Sequence, residues 1–185
     1  MSGQVRAFVA LQLGPELRSA VARVQEAVRR NIPGGVRWVQ PDSFHLTIRF
    51  LGDLDETELE RAAQVVRETR FPAMSLRLGS VSAFPSVSRP RVLWVGLESE
   101  GDRLQRLADD FERRLGEAGF PPADKPWKSH LTLGRVSGTD VVRGWNRGIS
   151  PSPEPYRVDT LSLMRSELLP GGAIHTPLVT VIGTN

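Results

Sequence analysis

Two kinds of hydrophobic pattern alternate along the chain. FVAL at 8–11 and WVGL at 94–97 are short unbroken apolar runs of the kind that form buried strands. Each leads into apolar positions at helical spacing: Leu17, Val21, Val24 and Val28 after the first, Leu104, Leu107, Phe111 and Leu115 after the second. Gly119 stops the second of these predicted helices. Further on in each case stands a tetrapeptide, HLTI at 45–48 and HLTL at 130–133, whose polar and apolar residues alternate as in a half-buried strand. The order strand, helix, His-x-Thr strand thus occurs twice, at an offset of about 85 residues, and marks an internal repeat.

Between the copies a further helix is predicted, opened by Asp55 with Glu58 as its capping-box partner and carrying Leu59, Ala63 and Val66 on one face. Strand text follows at 74–81, where Met74, Leu76 and Leu78 share one parity, and again at 156–164 and 175–182. Clusters of Pro, Gly and Ser at 84–90, 148–155 and 170–172 read as loops. The expected class is α+β. Two antiparallel-sheet lobes, related by pseudo-twofold symmetry and with helices outside, make up one intimate domain over residues 1–185.

Composition narrows the function classes. A chain of 185 residues, 39% apolar, is long enough for a substantial core, and no apolar run approaches a membrane span. The N-terminal stretch carries a charge and a glutamine and lacks a cleavage site, so a cytoplasmic, unprocessed protein is expected. Cysteine is absent, which excludes disulfides, thiolate zinc sites and cysteine nucleophiles. The net charge is +3 with a pI near 10.1, because the basic residues are nearly all arginine; Lys125 and Lys128 are the lysines. Arginine's planar fork suits phosphate, which favours RNA or a nucleotide as partner, although an arginine excess equally reflects genome composition.

In a strand, successive side chains point to opposite faces, so His45 shares a face with Thr47, and His130 with Thr132. The intervening Leu46 and Leu131 face the core of their own lobes. If the repeat is symmetric, the polar faces meet across a central cleft and two imidazoles converge on one small ligand. Two imidazoles suit phosphodiester hydrolysis, one taking a proton from water while the other gives a proton to the departing ribose oxygen. Threonine hydroxyls donate to non-bridging phosphate oxygens, and an arginine offsets their charge. One His-x-Thr is a weak signal. Of only three histidines, however, two head nearly identical tetrapeptides at matching places in a repeat.

At these residues the sequence resembles the 2H phosphoesterase superfamily, and within it the RNA 2′,3′-cyclic phosphodiesterases of the LigT/ThpR group, also called 2′-5′ RNA ligases. RAFVAL at 6–11, the segment 37–54, the stretch 82–97 and SHLTLGRV at 129–136 carry the resemblance. It implies a bilobal fold with the active site between the lobes and no metal or other cofactor. The implied reaction opens a 2′,3′-cyclic phosphate to a 2′-phosphomonoester, with reversible 2′-5′ RNA ligation at the same site. His45 is then the acid at the 3′ oxygen and His130 the base for water, with Thr47 and Thr132 on the phosphate. Arg135 matches a phosphate-binding arginine, but its parity is opposite to that of His130 and it needs a bulge, for which Gly134 is a plausible place. Phe50 occupies the corresponding place in the first copy, where relatives carry an aromatic suited to stacking on a base. Arg49 shares the parity of His45, which would let it reach the cleft, whereas Trp38 and Trp127 read as packing residues. Two positions depart from the pattern: Ser129 replaces the usual proline, and His175 stands where tyrosine is common.

Two other readings compete. His45, His130 and His175 together would suit a zinc ion with an open position, although no local HExxH-like pair exists. A non-catalytic RNA-binding module would use the arginines and aromatics, but neither an RNP1-like octamer nor a GXXG clamp is visible. The enzyme reading anticipates an RNA or oligonucleotide with a cyclic phosphate terminus as partner, no membrane, and a monomer.

Overall fold

The two apolar runs become interior strands of two antiparallel sheets. The computed structural model describes residues 3–137, 143–170 and 172–184. The first half holds β1 (Val5–Gln12), α1 (Pro15–Arg30), β2 (Val36–Trp38), β3 (His45–Leu54), α2 (Glu56–Glu68) and β4 (Met74–Ser86). The second holds β5 (Arg89–Ser99), α3 (Arg103–Glu117), β6 (Leu131–Val136), β7 (Tyr156–Val158), β8 (Thr160–Leu169) and β9 (Gly172–Ile182). One sheet has the order β3-β1-β8-β9 and the other β2-β6-β5-β4-β7. Apart from β2 the two orders superpose as a repeat, with each His-x-Thr strand beside its own apolar run. The α+β class and the duplicated two-sheet architecture therefore agree with the sequence pattern.

Local signals explain the helices. Pro15 sits in the first turn of α1, where its missing N–H costs nothing, and Arg29 and Arg30 lie at the end where cations are favoured. Asp55 accepts from the Glu58 N–H and Glu58 from the Asp55 N–H, closing the capping box of α2. The chain leaves α3 through Gly119 at φ +86°, a conformation that L side chains rarely adopt, while the Phe120 N–H donates to the Leu115 carbonyl.

The helices tie the copies together. Gln25 of α1 donates to the carbonyls of Val39 and of Leu133 in β6, 2.7 and 2.8 Å away. In the other direction α3 lies against β3 as well as β5. One continuous core runs through both sheets and all three helices, while Phe8, Ala10 and Met164 form a small separate cluster on the opposite face of the first sheet.

Three expectations change. The loop at 84–90 shrinks to a tight turn, because β4 runs on to Ser86 and β5 starts at Arg89. The single strand at 156–164 is two strands: Tyr156–Val158 pairs with β4 in one sheet, and Thr160–Leu169 pairs with β1 in the other, so the chain changes sheets at Asp159. The loop at 170–172 is narrower, with Gly172 already in β9, and Gly171 lies outside the described residues. β2, which the hydrophobic pattern did not reveal, covers β6 so closely that a Cβ on Gly134 would sit 2.7 Å from Val36 Cγ1.

Candidate active site

Both histidines are presented in the same way. His45 Nδ1 lies 2.8 Å from the Ser43 carbonyl and His130 Nδ1 lies 2.7 Å from the Lys128 carbonyl, in each case the residue two before it. A carbonyl can only accept, so each Nδ1 carries a hydrogen and each Nε2 is the nitrogen left to gain or lose a proton. Each ring also rests on an aromatic from the neighbouring apolar run. Phe8 lies 4.8 Å from His45 between centroids, and Trp94 lies 6.1 Å from His130, with Phe84 adding an edge contact at 5.0 Å. Sequence reasoning missed these aromatic supports, although Phe8 and Trp94 head the two runs at equivalent places.

Strand bulges decide which other side chains join the histidines. In an antiparallel pair, facing residues project to the same side. β1 pairs Gln12 with His45, Ala10 with Thr47 and Phe8 with Phe50, but Val9 with Arg49, so Ile48 is an extra residue. That bulge carries Phe50 to the His45 face and turns Arg49 away from it. Arg49 therefore does not reach the cleft, contrary to its simple parity: its Nε lies 2.8 Å from Glu112 Oε2 on α3. The same step occurs in the second copy. β5 pairs Trp94 with Thr132 and Val92 with Arg135, while Leu93 faces Gly134, leaving Leu133 as the extra residue. Arg135 thus shares the face of Thr132 and stands exposed there. The bulge expected near Gly134 is centred one residue earlier.

The first-sheet face continues through His175, whose ring is 5.0 Å from both Phe8 and His45. His175 thus joins the His45 cluster, whereas His130 sits among Phe84 and Trp94. Among the described residues no three His, Cys, Asp or Glu side chains come together as a metal-binding group, so the three-histidine set is not assembled. Phe50 is 45% exposed, lies parallel to Phe8 at 6.1 Å, and has the Arg6 guanidinium 4.8 Å from its ring centre. An exposed cation–π contact contributes about 0.5–1 kcal/mol, less than the about 1–3 kcal/mol of a stacked base, so Arg6 does not bar a base from that ring. Trp38 and Trp127 pack against the core as expected, and Trp127 also donates its indole N–H to the Thr47 carbonyl.

Electrostatics link the two motifs. Burial pushes the His45 imidazole down from 6.5 to about 4; the bond to Ser43 opposes this, and the neighbouring His175 and His130 add to it. His130 is lowered as well, first by burial and then by the positive charges of Lys128 and Arg135. His175 is lowered by burial alone. The charge of His130 thus acts on His45 although the two belong to different sheets, and Arg135 is close enough to act on His130. β3 and β6 themselves lie in contact. A shallow concavity along α3, lined by Glu112, Phe120 and Pro122 among others, contains no histidine.

The family model described as LigT like Phosphoesterase matches the chain twice, over residues 11–94 and 95–175. The chain belongs to the LigT-like phosphoesterase family. The two matched segments each contain one His-x-Thr strand, so the family unit coincides with the internal repeat. Membership makes this LigT-like protein an enzyme of the phosphoesterase class. A curated relative from Archaeoglobus fulgidus, named RNA 2′,3′-cyclic phosphodiesterase, is 34% identical and covers 94% of this chain and 98% of its own. A Thermus thermophilus protein of the same name is also 34% identical, covering 94% of this chain and 88% of its own. Among solved structures, one from Thermus thermophilus has a TM-score of 0.76 at 32% identity, covering 96% of this chain and 97% of that one. Escherichia coli LigT complexed with 3′-AMP has a TM-score of 0.80 at 24% identity, covering 98% and 99%, and shows the shared fold.

Proposed function

We propose that this LigT-like phosphoesterase hydrolyses 2′,3′-cyclic phosphate termini of RNA to 2′-phosphomonoesters, using His45 and His130 without a metal or other cofactor. The observation that carries the reading is the matched presentation of two imidazoles, each tied through Nδ1 to the backbone carbonyl two residues before it. His130 Nε2 takes a proton from water as its oxygen bonds to phosphorus. The bond from phosphorus to the 3′ oxygen breaks, and His45 Nε2 supplies the proton that the 3′ oxygen needs. The phosphate then remains on the 2′ oxygen. Thr47, Thr132 and Arg135 bind its non-bridging oxygens, where fixed donors gain most as charge builds. Phe50 takes a base. With an RNA 5′-hydroxyl in place of water as the nucleophile, the same steps join ends through a 2′-5′ bond, and run backwards they cleave that bond to the cyclic phosphate and a free 5′-hydroxyl.

The substrate rests on the curated relatives, which carry the name RNA 2′,3′-cyclic phosphodiesterase at 34% identity over most of the chain. Among the described residues no helix is long and apolar enough to cross a membrane, and the reading takes the protein as a cytoplasmic monomer. The test is incubation with an oligonucleotide ending in a cyclic phosphate, in EDTA and without ATP, followed by identification of the product isomer. A 2′-phosphate is expected. A 3′-phosphate would place the acid beside the other oxygen, and complete inhibition by EDTA with rescue by zinc would overturn the metal-free mechanism.

A further inference from the structure

The segment 120–129, which delivers His130, is fastened to the strand of the other histidine at several points. Trp127, three residues before His130, donates its indole N–H to the Thr47 carbonyl of β3 at 2.9 Å. Arg49 of β3 donates to the Pro121 carbonyl. Glu112 of α3 joins both sides: Oε2 lies 2.8 Å from Arg49 Nε, and Oε1 accepts the Ala123 N–H at 2.7 Å. Thr47 and Arg49 flank Ile48, the extra residue of the bulge. The fastenings thus grip β3 on both sides of the step that sorts its side chains between cleft and core.

The chemistry gives this arrangement a consequence. The histidines sit on different sheets, so their separation is not set by any shared ladder of backbone hydrogen bonds. Two-histidine catalysis depends steeply on that separation, since a misplacement of about 1 Å costs roughly 10²-fold. The Arg49 side chain is 14% exposed and Glu112 37% exposed, so their pairing is shielded more than an ordinary surface ion pair. We propose that Trp127, Arg49 and Glu112 form a clamp that sets His130 against His45, and so are positioning residues of the two-histidine reaction. The proposal rests on the function given above, and it assigns Arg49 a task outside the cleft.

Trp127→Phe tests it, because phenylalanine keeps an aromatic ring and loses the N–H. On the cyclic-phosphate oligonucleotide, kcat should fall about 10- to 30-fold with KM within about 3-fold, since one intact motif still binds phosphate while the paired proton transfers are misaligned. Glu112→Gln should lower kcat about 3- to 10-fold in the same manner. In the His130→Ala background, Trp127→Phe should change the residual rate less than about 2-fold, because there is no second imidazole left to position. A multiplicative loss in that background, or wild-type kcat for both single variants, overturns the clamp. Should Trp127→Phe fail to fold, Glu112→Gln in both backgrounds decides in the same way. A wild-type protein inactive on the substrate overturns the proposed function and the clamp with it, whereas an active wild type with unaffected variants overturns the clamp alone.

Discussion

The free site should work best on the acid side of neutrality, because both imidazoles are pushed below 6.5, His45 the further, to about 4. Acid and base together require the pair to hold one proton, and that state peaks between the pair's two apparent pKa values. The maximum of kcat/KM therefore lies below pH 6.5, and the rate constant falls tenfold per unit above the higher pKa. At pH 7 only about one free molecule in 10³ has His45 protonated, which corresponds to about 4 kcal/mol. A phosphate monoanion about 4 Å away, at an effective dielectric constant near 20, contributes a similar amount. Substrate thus restores the acid, and the kcat profile should lie at higher pH than that of kcat/KM, by up to about 3 units. Single-turnover and steady-state rates over roughly pH 4 to 9, with a labelled oligonucleotide carrying a cyclic phosphate, separate the two profiles. A kcat/KM maximum above pH 7, or superimposable profiles when chemistry limits the rate, would refute the argument from burial.

Replacement of either histidine tests the pairing: His45→Ala and His130→Ala should each lower kcat/KM by at least about 10²-fold, with unfolding midpoints and circular dichroism near wild type. Near wild-type turnover in either variant would remove that residue from the chemistry. His175→Tyr should keep most activity, and because the His175 charge adds to the depression of His45, the acid limb of the kcat/KM profile should move to higher pH. Loss as deep as that of His130→Ala would instead give His175 a direct part in the reaction.

Much of the fold could be read because local patterns and tertiary structure agree here. The helices begin and end where Pro15, Asp55 and Gly119 signal, and Leu17, Val21, Val28, Leu104, Phe111 and Leu115 are all buried. The repeat was legible because both copies keep the strand, helix and His-x-Thr order. What stayed hidden depends on contacts between distant segments. β2 is three residues long, VRW, too short for any periodicity, and it exists because Gly134 leaves room for it on β6. The change of sheet at Asp159 interrupts text that reads as one strand, since alternation records which residues are buried and not which neighbour buries them.

The candidate site shows the same division. His45 and Thr47 lie before any irregularity in β3, and Thr132 lies before the step in β6, so period-two alternation still applies there. Arg49, Phe50 and Arg135 lie beyond a bulge in each strand, and an extra residue inverts every parity that follows. For Arg135 the need for such a step could be argued, because the resemblance demanded an arginine facing the phosphate. For Arg49 there was no such demand, so the alternation stood uncorrected and pointed the wrong way. The shift falls between Ala10 and Val9 opposite β3 and between Trp94 and Leu93 opposite β6, in each case directly after the threonine. Because the step recurs at the same place in both copies, it belongs to the repeated unit. In each copy it brings one further residue, Phe50 or Arg135, round to the face of the histidine and threonine. Duplication thus supplied matching strands, and divergence two residues past the extra one left an aromatic, Phe50, in one copy and a cation, Arg135, in the other.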